Sequence, residues 1–82
     1  MNSYELEAKN DSRKSFYGKA RVIIHNGGEW VELWSYNTKV AMIEDGEAEV
    51  YGWFSMTTAR HINEFLIQNG FKSRTKAEME VK

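Results

Sequence analysis

The sequence predicts an α+β domain in which a four-stranded antiparallel meander is followed by one helix packed on one face. The helix is predicted from an apolar stripe at helical spacing, formed by Ala59, Ile62, Phe65 and Leu66. The sheet is predicted from alternating segments separated by Asn26-Gly27 and Asp45-Gly46. Both pairs are typical of tight hairpin turns, because they supply positive φ angles.

Four segments are predicted as strands: residues 15–25, 30–36, 39–43 and 47–53. Asn37-Thr38 is predicted to turn the chain between the second and third. Side chains alternate between the two faces of a strand. The face toward the helix is predicted to carry Val31, Leu33, Ala48 and Val50. The opposite face is predicted to carry Trp30, Trp34, Tyr36, Tyr51 and Trp53 among glutamates.

The helix is predicted over residues 57–69. Hydroxyl side chains that can cap its first turn cluster at Ser55, Thr57 and Thr58. Gly70 stands where a left-handed residue ends a helix, and Phe71 can fold back on Leu66 as in a Schellman motif. The helix therefore has predicted signals at both ends.

The chain is predicted to divide into three parts: a flexible N-terminal arm (residues 1–14), a single ββββα domain (15–71) and a polar tail or short helix (72–82). Tyr4 and Leu6 are the large apolar residues available to pin the arm to the body. In the tail, the T-K-A-E string at residues 75–78 matches a capping box and so allows a short terminal helix.

Composition narrows the classes of protein. A chain of 82 residues without cysteine has a marginal core and no disulfide, so a homodimer is one expected aid to stability. The net charge of −1 argues against a strong generic nucleic-acid binder. No apolar run approaches the length of a membrane span, and the N-terminus lacks a signal-peptide core, so we expect a cytosolic protein with no membrane partner.

The helix start is the first candidate site. Ser55, Thr57, Thr58, Arg60 and His61 bring hydroxyls, free N–H groups and a cation to a helix N-terminus. Such a group can bind a phosphate or carboxylate. The simpler interpretation is that the hydroxyls only cap the helix and that Arg60 is solvated.

The aromatic face is the second candidate, with Trp30, Trp34, Tyr36, Tyr51 and Trp53 as interface residues. One helix leaves one sheet face open, and monomers rarely expose an apolar patch of several hundred Å². We therefore expect a contact surface. The alternatives are a buried core or a dimer seam.

Catalytic and metal-binding chemistry receives little support. His25 and His61 stand outside any metal-ligand spacing and are interpreted as surface or capping histidines. No nucleophile, phosphate-loop or paired-carboxylate motif appears. Four carboxylates are interpreted as solubilising charges: Glu32, Glu47, Glu49 and Glu64. We therefore predict no metal, no cofactor and no enzymatic activity.

Basic residues form two groups, one at Arg13, Lys14, Lys19 and Arg21 and the other at Lys72, Arg74 and Lys76. Basic stretches near aromatics can bind single-stranded nucleic acid. Ordinary solvation and protection of an edge strand by lysine is the alternative.

Three strings carry a resemblance: D-S-R-K-S-F-Y-G-K-A (residues 11–20), S-Y-N-T-K-V-A (35–41) and S-M-T-T-A-R-H-I-N-E-F-L-I-Q-N-G-F (55–71). The chain resembles a family of small uncharacterised proteins encoded by phages and prophages of Gram-positive bacteria. The resemblance implies a viral origin and an accessory role in the bacterial cytoplasm, such as host takeover or anti-defence.

Three functions are therefore considered. The leading hypothesis is a non-enzymatic phage protein that inhibits a host defence component by direct binding, as anti-CRISPR proteins do. The second is a sponge that sequesters a nucleotide immune signal, with phosphate at residues 55–60 and an aromatic stacked on the base. The third is an accessory factor that binds single-stranded nucleic acid.

Overall fold

The computed structural model describes residues 2–11 and 15–80. Five strands form one antiparallel sheet in chain order: β1 (Asn2–Glu5), β2 (Ala20–His25), β3 (Trp30–Ser35), β4 (Thr38–Glu44) and β5 (Glu47–Val50). Helices α1 (Met56–Gln68) and α2 (Lys76–Glu80) follow. The predicted α+β meander with a helix on one face is confirmed, with five strands instead of four.

The extra strand comes from the segment predicted as a loose arm. β1 pairs with β2, so that Tyr4 lies opposite Val22. Leu6 follows with only 1% of its surface exposed, and its N–H donates to the Ala20 carbonyl oxygen at 2.9 Å. A polar strand of four residues shows no alternation of apolar and polar side chains from which it could be predicted. Its conformation is decided by pairing with a strand distant in the sequence. Arg13 and Lys14 lie outside the described residues.

Turns set the strand bounds more tightly than predicted. β2 begins at Ala20, because Tyr17 and Gly18 have φ angles of 52° and 73° and close a turn in which Lys19 N–H donates to the Phe16 carbonyl oxygen. The predicted turn at Asn37-Thr38 lies one residue earlier, at Tyr36-Asn37, since Ser35 pairs with Thr38.

The two glycine turns are confirmed. Asp45 and Gly46 have φ angles of 53° and 74°, and Glu44 pairs with Glu47 across them, as in a two-residue hairpin. Asn26, Gly27 and Gly28 have φ angles of 47°, 66° and 104° and turn the chain between β2 and β3, with Glu29 N–H donating to the Asn26 carbonyl oxygen at 3.3 Å.

The core lies between the sheet and the helices. Leu33 and Val50 are buried, and Val31 and Ala48 pack against the core at its margin, so the face predicted toward the helix is confirmed. The buried apolar residues are Leu6, Phe16, Ala20, Val22, Leu33, Val40, Ala41, Val50, Ala59, Ile62, Phe65, Leu66 and Met79. Because α1 and α2 both contribute to this core, they share one side of the sheet.

The helix ends follow their predicted chemistry. Ser55 caps α1 by accepting the Thr58 N–H at 3.1 Å. At the other end Gly70 has φ = 86°, and the N–H groups of Gly70 and Phe71 donate to the carbonyls of Ile67 and Leu66, which is a Schellman motif.

The short terminal helix α2 begins with the predicted capping box. Thr75 N–H donates to Glu78 Oε1 at 2.9 Å, and Glu78 N–H donates to Thr75 Oγ1 at 3.3 Å. No described helix is long and apolar enough to cross a membrane.

Candidate functional site

The sheet face opposite the helices carries tryptophans at its centre. Trp30 and Trp34 of β3 point to this side because they alternate with the buried Leu33, and both remain partly exposed. Ile23 and Met42 stand on either side of the central Glu32 in the ladder. Tyr51 joins them, since its hydroxyl lies 3.9 Å from Met42 Sδ.

Glu32 organises this open face. Its Oε1 accepts a hydrogen bond from Trp34 Nε1 at 3.2 Å, and its Oε2 lies 3.1 Å from Lys39 Nζ. His25 Nε2 lies 3.1 Å from Oε1 without forming a hydrogen bond to it. The His25 ring also stacks on Trp30, with 4.8 Å between ring centroids. One carboxylate thus fixes the surroundings of both tryptophans.

The electrostatics of this group favour the charged forms. Partial burial alone would raise the pKa of Glu32, but the contacts with Trp34, His25 and Lys39 outweigh it and lower the pKa to about 2. Partial burial would likewise lower the pKa of Lys39, yet Glu32 and Tyr51 raise it above its ordinary value of 10.5. The interpretation of Glu32 as a solubilising charge is wrong, because only 13% of its side chain is exposed.

Two of the five predicted interface aromatics lie elsewhere. Tyr36 occupies a turn position with φ = 57°, and its ring lies 6.1 Å from the His61 ring of α1. Trp53 follows Gly52, whose φ of 143° ends the alternation of β5, and it packs against the core beside α1. The open face therefore brings together Trp30, Trp34 and Tyr51, without Tyr36 and Trp53.

The helix start is engaged within the fold. Ser55 caps α1, and Thr58 is 5% exposed with its Oγ1 at 2.9 Å from Ser35 Oγ. Arg60 Nη1 lies 3.3 Å from Asp11 Oδ1. Ser55 and Thr57 are exposed, whereas Thr58 is buried. The hydroxyls of Ser55 and Thr58 thus have partners within the fold, and Arg60 is paired with Asp11 instead of being solvated as the simpler interpretation has it.

His61 lies in a buried polar group. Its Nδ1 shares a hydrogen bond of 2.8 Å with Ser35 Oγ, and the Phe16 ring meets its ring edge-on at 4.6 Å. Burial lowers the pKa of His61 below 6.5, against the opposing charge of Asp11. The side chain is 1% exposed, so a neutral imidazole joins β3 to α1. The interpretation of His61 as a surface histidine is wrong.

The structure also forms a cleft that sequence reasoning missed. It has a volume of about 390 Å³ and lies where Trp53 meets α1 and the segment before α2. Its lining residues are Trp53, Met56, Ala59, Arg60, Asn63, Arg74 and Lys76. The apparent alternation of residues 47–53 concealed it, since that pattern placed Trp53 on the other face.

A family comparison covers nearly the whole chain. A family model described as "Family of unknown function (DUF8033)" matches residues 4–81. The chain belongs to DUF8033. No curated protein and no solved structure matches it.

Two surfaces of this DUF8033 chain are candidate binding sites, the open face and the Trp53 cleft. A metal centre has no support within residues 2–11 and 15–80, because no three His, Asp or Glu side chains come together there. Of the basic groups, Arg21 lies on β2, whereas Arg74 and Lys76 converge with Arg60 at the cleft.

Proposed function

We propose that the chain is a non-enzymatic binding protein that contacts a partner protein through its open sheet face. The observation that carries this proposal is the position of Trp30 and Trp34. They lie, partly exposed, on the side of the sheet away from α1 and α2. Tryptophan and tyrosine are enriched among the residues that dominate binding energy at protein interfaces.

The rigidity of the face supports the proposal. Trp34 is held by its hydrogen bond to Glu32, Trp30 by stacking on His25, and Lys39 lies 5.5 Å from the centre of the Tyr51 ring. Side chains already fixed in the free protein lose little conformational entropy on binding. The face is therefore suited to a partner of complementary shape.

Charge narrows the kind of partner. The open face carries five carboxylates, against Arg21 and Lys39; these are Glu5, Glu32, Glu44, Glu47 and Glu49. Nucleic-acid binding depends on cations that neutralise phosphates, so an acidic face gives that alternative less support. A protein with an apolar centre and a basic rim fits better.

The resemblance to phage and prophage proteins suggests the biological setting. In that setting the partner is a component of bacterial defence in the host cytoplasm, and binding inhibits it. The alternative that the helix start alone sequesters a nucleotide signal has less support, because Ser55, Thr58 and Arg60 have partners within the fold.

The proposal is tested by comparing the chain with Trp34→Ala and Trp30→Ala. Proteins retained by the tagged chain from host cells are identified, purified and titrated against each variant by calorimetry. We expect each substitution on the face to weaken binding by about tenfold or more, because truncating a central tryptophan removes a large buried contact.

Tyr17→Ala is the matched control, since Tyr17 is 75% exposed and does not belong to the open face. Circular dichroism verifies that every variant is folded. Unchanged affinity in both tryptophan variants would overturn the proposal. So would a dimer of the chain that Trp34→Ala dissociates, because the face would then be occupied by a second copy.

A further inference from the structure

We propose that the cleft beside Trp53 binds a nucleotide, with the base against the indole and the phosphates against Arg74, Lys76 and Arg60. This site is separate from the open face, because Trp53 packs on the side of the sheet that carries the helices. The proposal therefore stands independently of the protein contact.

The cleft has the size and walls of a small-molecule site. Trp53, Met56 and Ala59 supply mainly apolar walls, and the volume of about 390 Å³ lies near the lower end of the range for such pockets, roughly 300–1,000 Å³. A half-buried indole offers a flat surface on which one base can stack.

The charges at the rim indicate an anionic ligand. Arg60, Arg74 and Lys76 all line the cleft. Arg60 is balanced by Asp11, whereas no described carboxylate lies within 4.0 Å of the Arg74 or Lys76 side-chain nitrogens. The first turn of α1 adds the positive end of the helix dipole. Two cations are thus left to attract phosphate groups.

Lys76 already lies at the indole. Its Nζ is 5.2 Å from the centre of the Trp53 ring. A cation–π contact at an exposed site is weak, so the ammonium group can turn from the ring to a phosphate when a base enters. The same movement uncovers the ring surface for stacking.

The cleft is fixed in place before any ligand binds. Asn63 of α1 accepts the Arg74 N–H at 2.7 Å and donates to the Arg74 carbonyl oxygen at 3.1 Å. The Arg74 guanidinium also donates to the Ala48 carbonyl oxygen at 3.4 Å. These contacts hold the segment before α2 against α1 and β5, so binding does not have to order it.

A mononucleotide fits these features better than a polynucleotide or an acidic peptide. The cleft has one stacking wall, enough for a single base, and its two cations without a described carboxylate partner, Arg74 and Lys76, match a diphosphate. Extended nucleic acid would need a continuous basic track, whereas the chain carries a net charge of −1.

The probes are ADP, adenosine and pyrophosphate. Calorimetry measures their binding, and the NMR signal of each indole N–H shows which tryptophan they contact. Trp53→Phe assigns the Trp53 signal. We expect ADP to shift that signal and to leave those of Trp30 and Trp34 in place. We also expect ADP to bind more tightly than adenosine or pyrophosphate, because it uses both the indole and the cations.

Lys76→Gln and Arg74→Gln each remove one rim charge, and Arg74→Gln keeps the backbone bonds to Asn63. We expect each to raise the dissociation constant for ADP about fivefold, and added salt to weaken binding to the wild-type chain. Lys9→Gln is the charge-matched control, since Lys9 is exposed and does not line the cleft.

Four outcomes would overturn the proposal: no shift of the Trp53 signal at millimolar ADP, equal affinity for ADP and pyrophosphate, equal weakening by Lys9→Gln and Lys76→Gln, or binding of an acidic peptide in place of ADP. None of them bears on Trp34 and the open face, so the two proposals can fail separately.

Discussion

At the scale of single residues, two groups of polar side chains have structural roles that their residue types alone did not predict. Glu32 gathers Trp34, Lys39 and His25 around one carboxylate on the open face. Ser35 joins Thr58 and His61 on the other side of the sheet. Each group ties together side chains from different parts of the chain, so each supports the fold.

The low pKa of Glu32 makes stability depend on pH. Its folded-state pKa of about 2 lies below the ordinary 4.5, so its contribution is complete above pH 4.5 and is lost as the pH falls toward 2. We expect Glu32→Gln to lower the free energy of unfolding by about 1 kcal/mol at neutral pH and to reduce its decline in acid. Urea titrations over that pH range measure both effects.

Glu49→Gln is the control for this measurement, because Glu49 is an exposed carboxylate on the same face. An acid decline that is as steep in Glu32→Gln as in the wild-type chain would contradict the role given to Glu32.

The Ser35 hydroxyl is expected to contribute to the free energy of unfolding, although it is a small group. Ser35→Ala leaves His61 Nδ1 and Thr58 Oγ1 without their buried partner, which costs about 1–3 kcal/mol. Chemical denaturation measures this cost, with the exposed Ser73→Ala as the control. Equal stability of the two variants would show that the buried group contributes nothing.

The neutral state of His61 adds a second dependence on pH. Because its folded-state pKa is lowered, the unfolded chain takes up a proton first, and stability falls as the pH drops below 6.5. The carbon-bound ring protons of the two histidines can be followed by NMR. We expect those of His61 to titrate below 6.5, and titration at or above that value would contradict the burial argument.

At the scale of elements, α1 contributes to both the core and the Trp53 cleft, because its buried side packs against the sheet and Met56, Ala59, Arg60 and Asn63 line the cleft. Its Ser55 cap and its exposed Thr57 form a matched pair. We expect Ser55→Ala to destabilise the protein by about 1 kcal/mol and Thr57→Ala by much less, since Ser55 alone accepts a first-turn N–H. Thermal unfolding of the two variants tests this, and equal losses would refute the assigned cap.

At the scale of the whole molecule, the N-terminal segment is part of the body. Asn10 donates to Glu64 of α1 through its N–H at 2.7 Å and its side-chain amide at 2.8 Å. Gln68 donates to Glu64 and to the Glu7 carbonyl oxygen. A buried carboxylate on the helix thus anchors a segment that lies 54 residues earlier in the chain.

We therefore expect Leu6→Ala to lower the free energy of unfolding by about 2–5 kcal/mol, the range for a large-to-small change in a core. Tyr4→Ala is expected to cost less, because Tyr4 is 43% exposed and Leu6 is 1% exposed. Chemical denaturation separates the two variants. A Leu6→Ala protein as stable as the wild type would restore the description of residues 1–14 as a loose arm.

Local chemistry explains what the sequence could predict. The conformations of Gly70 and Asp45-Gly46 could be predicted because these residue types adopt positive φ angles at little energetic cost. The apolar stripe of α1 could be predicted from residue spacing alone. The errors involve long-range contacts. No residue near Asn2 indicates that residues 2–5 pair with β2, and none near Glu64 indicates that its carboxylate binds the N-terminal segment. Trp53 leaves the alternation of β5 at Gly52, whose φ of 143° is known only from the structure.

The Arg74 contact with the Ala48 carbonyl also bears on how this sheet meets other chains. Ala48 belongs to β5, one of the two outermost strands, and a foreign strand seeking to lengthen the sheet there finds that acceptor occupied by a guanidinium group. The opposite border is Asn2–Glu5, which is exposed along its four residues and ends in a carboxylate. Strand addition at β5 is therefore hindered at Ala48, and a strand added at β1 would meet the charge of Glu5.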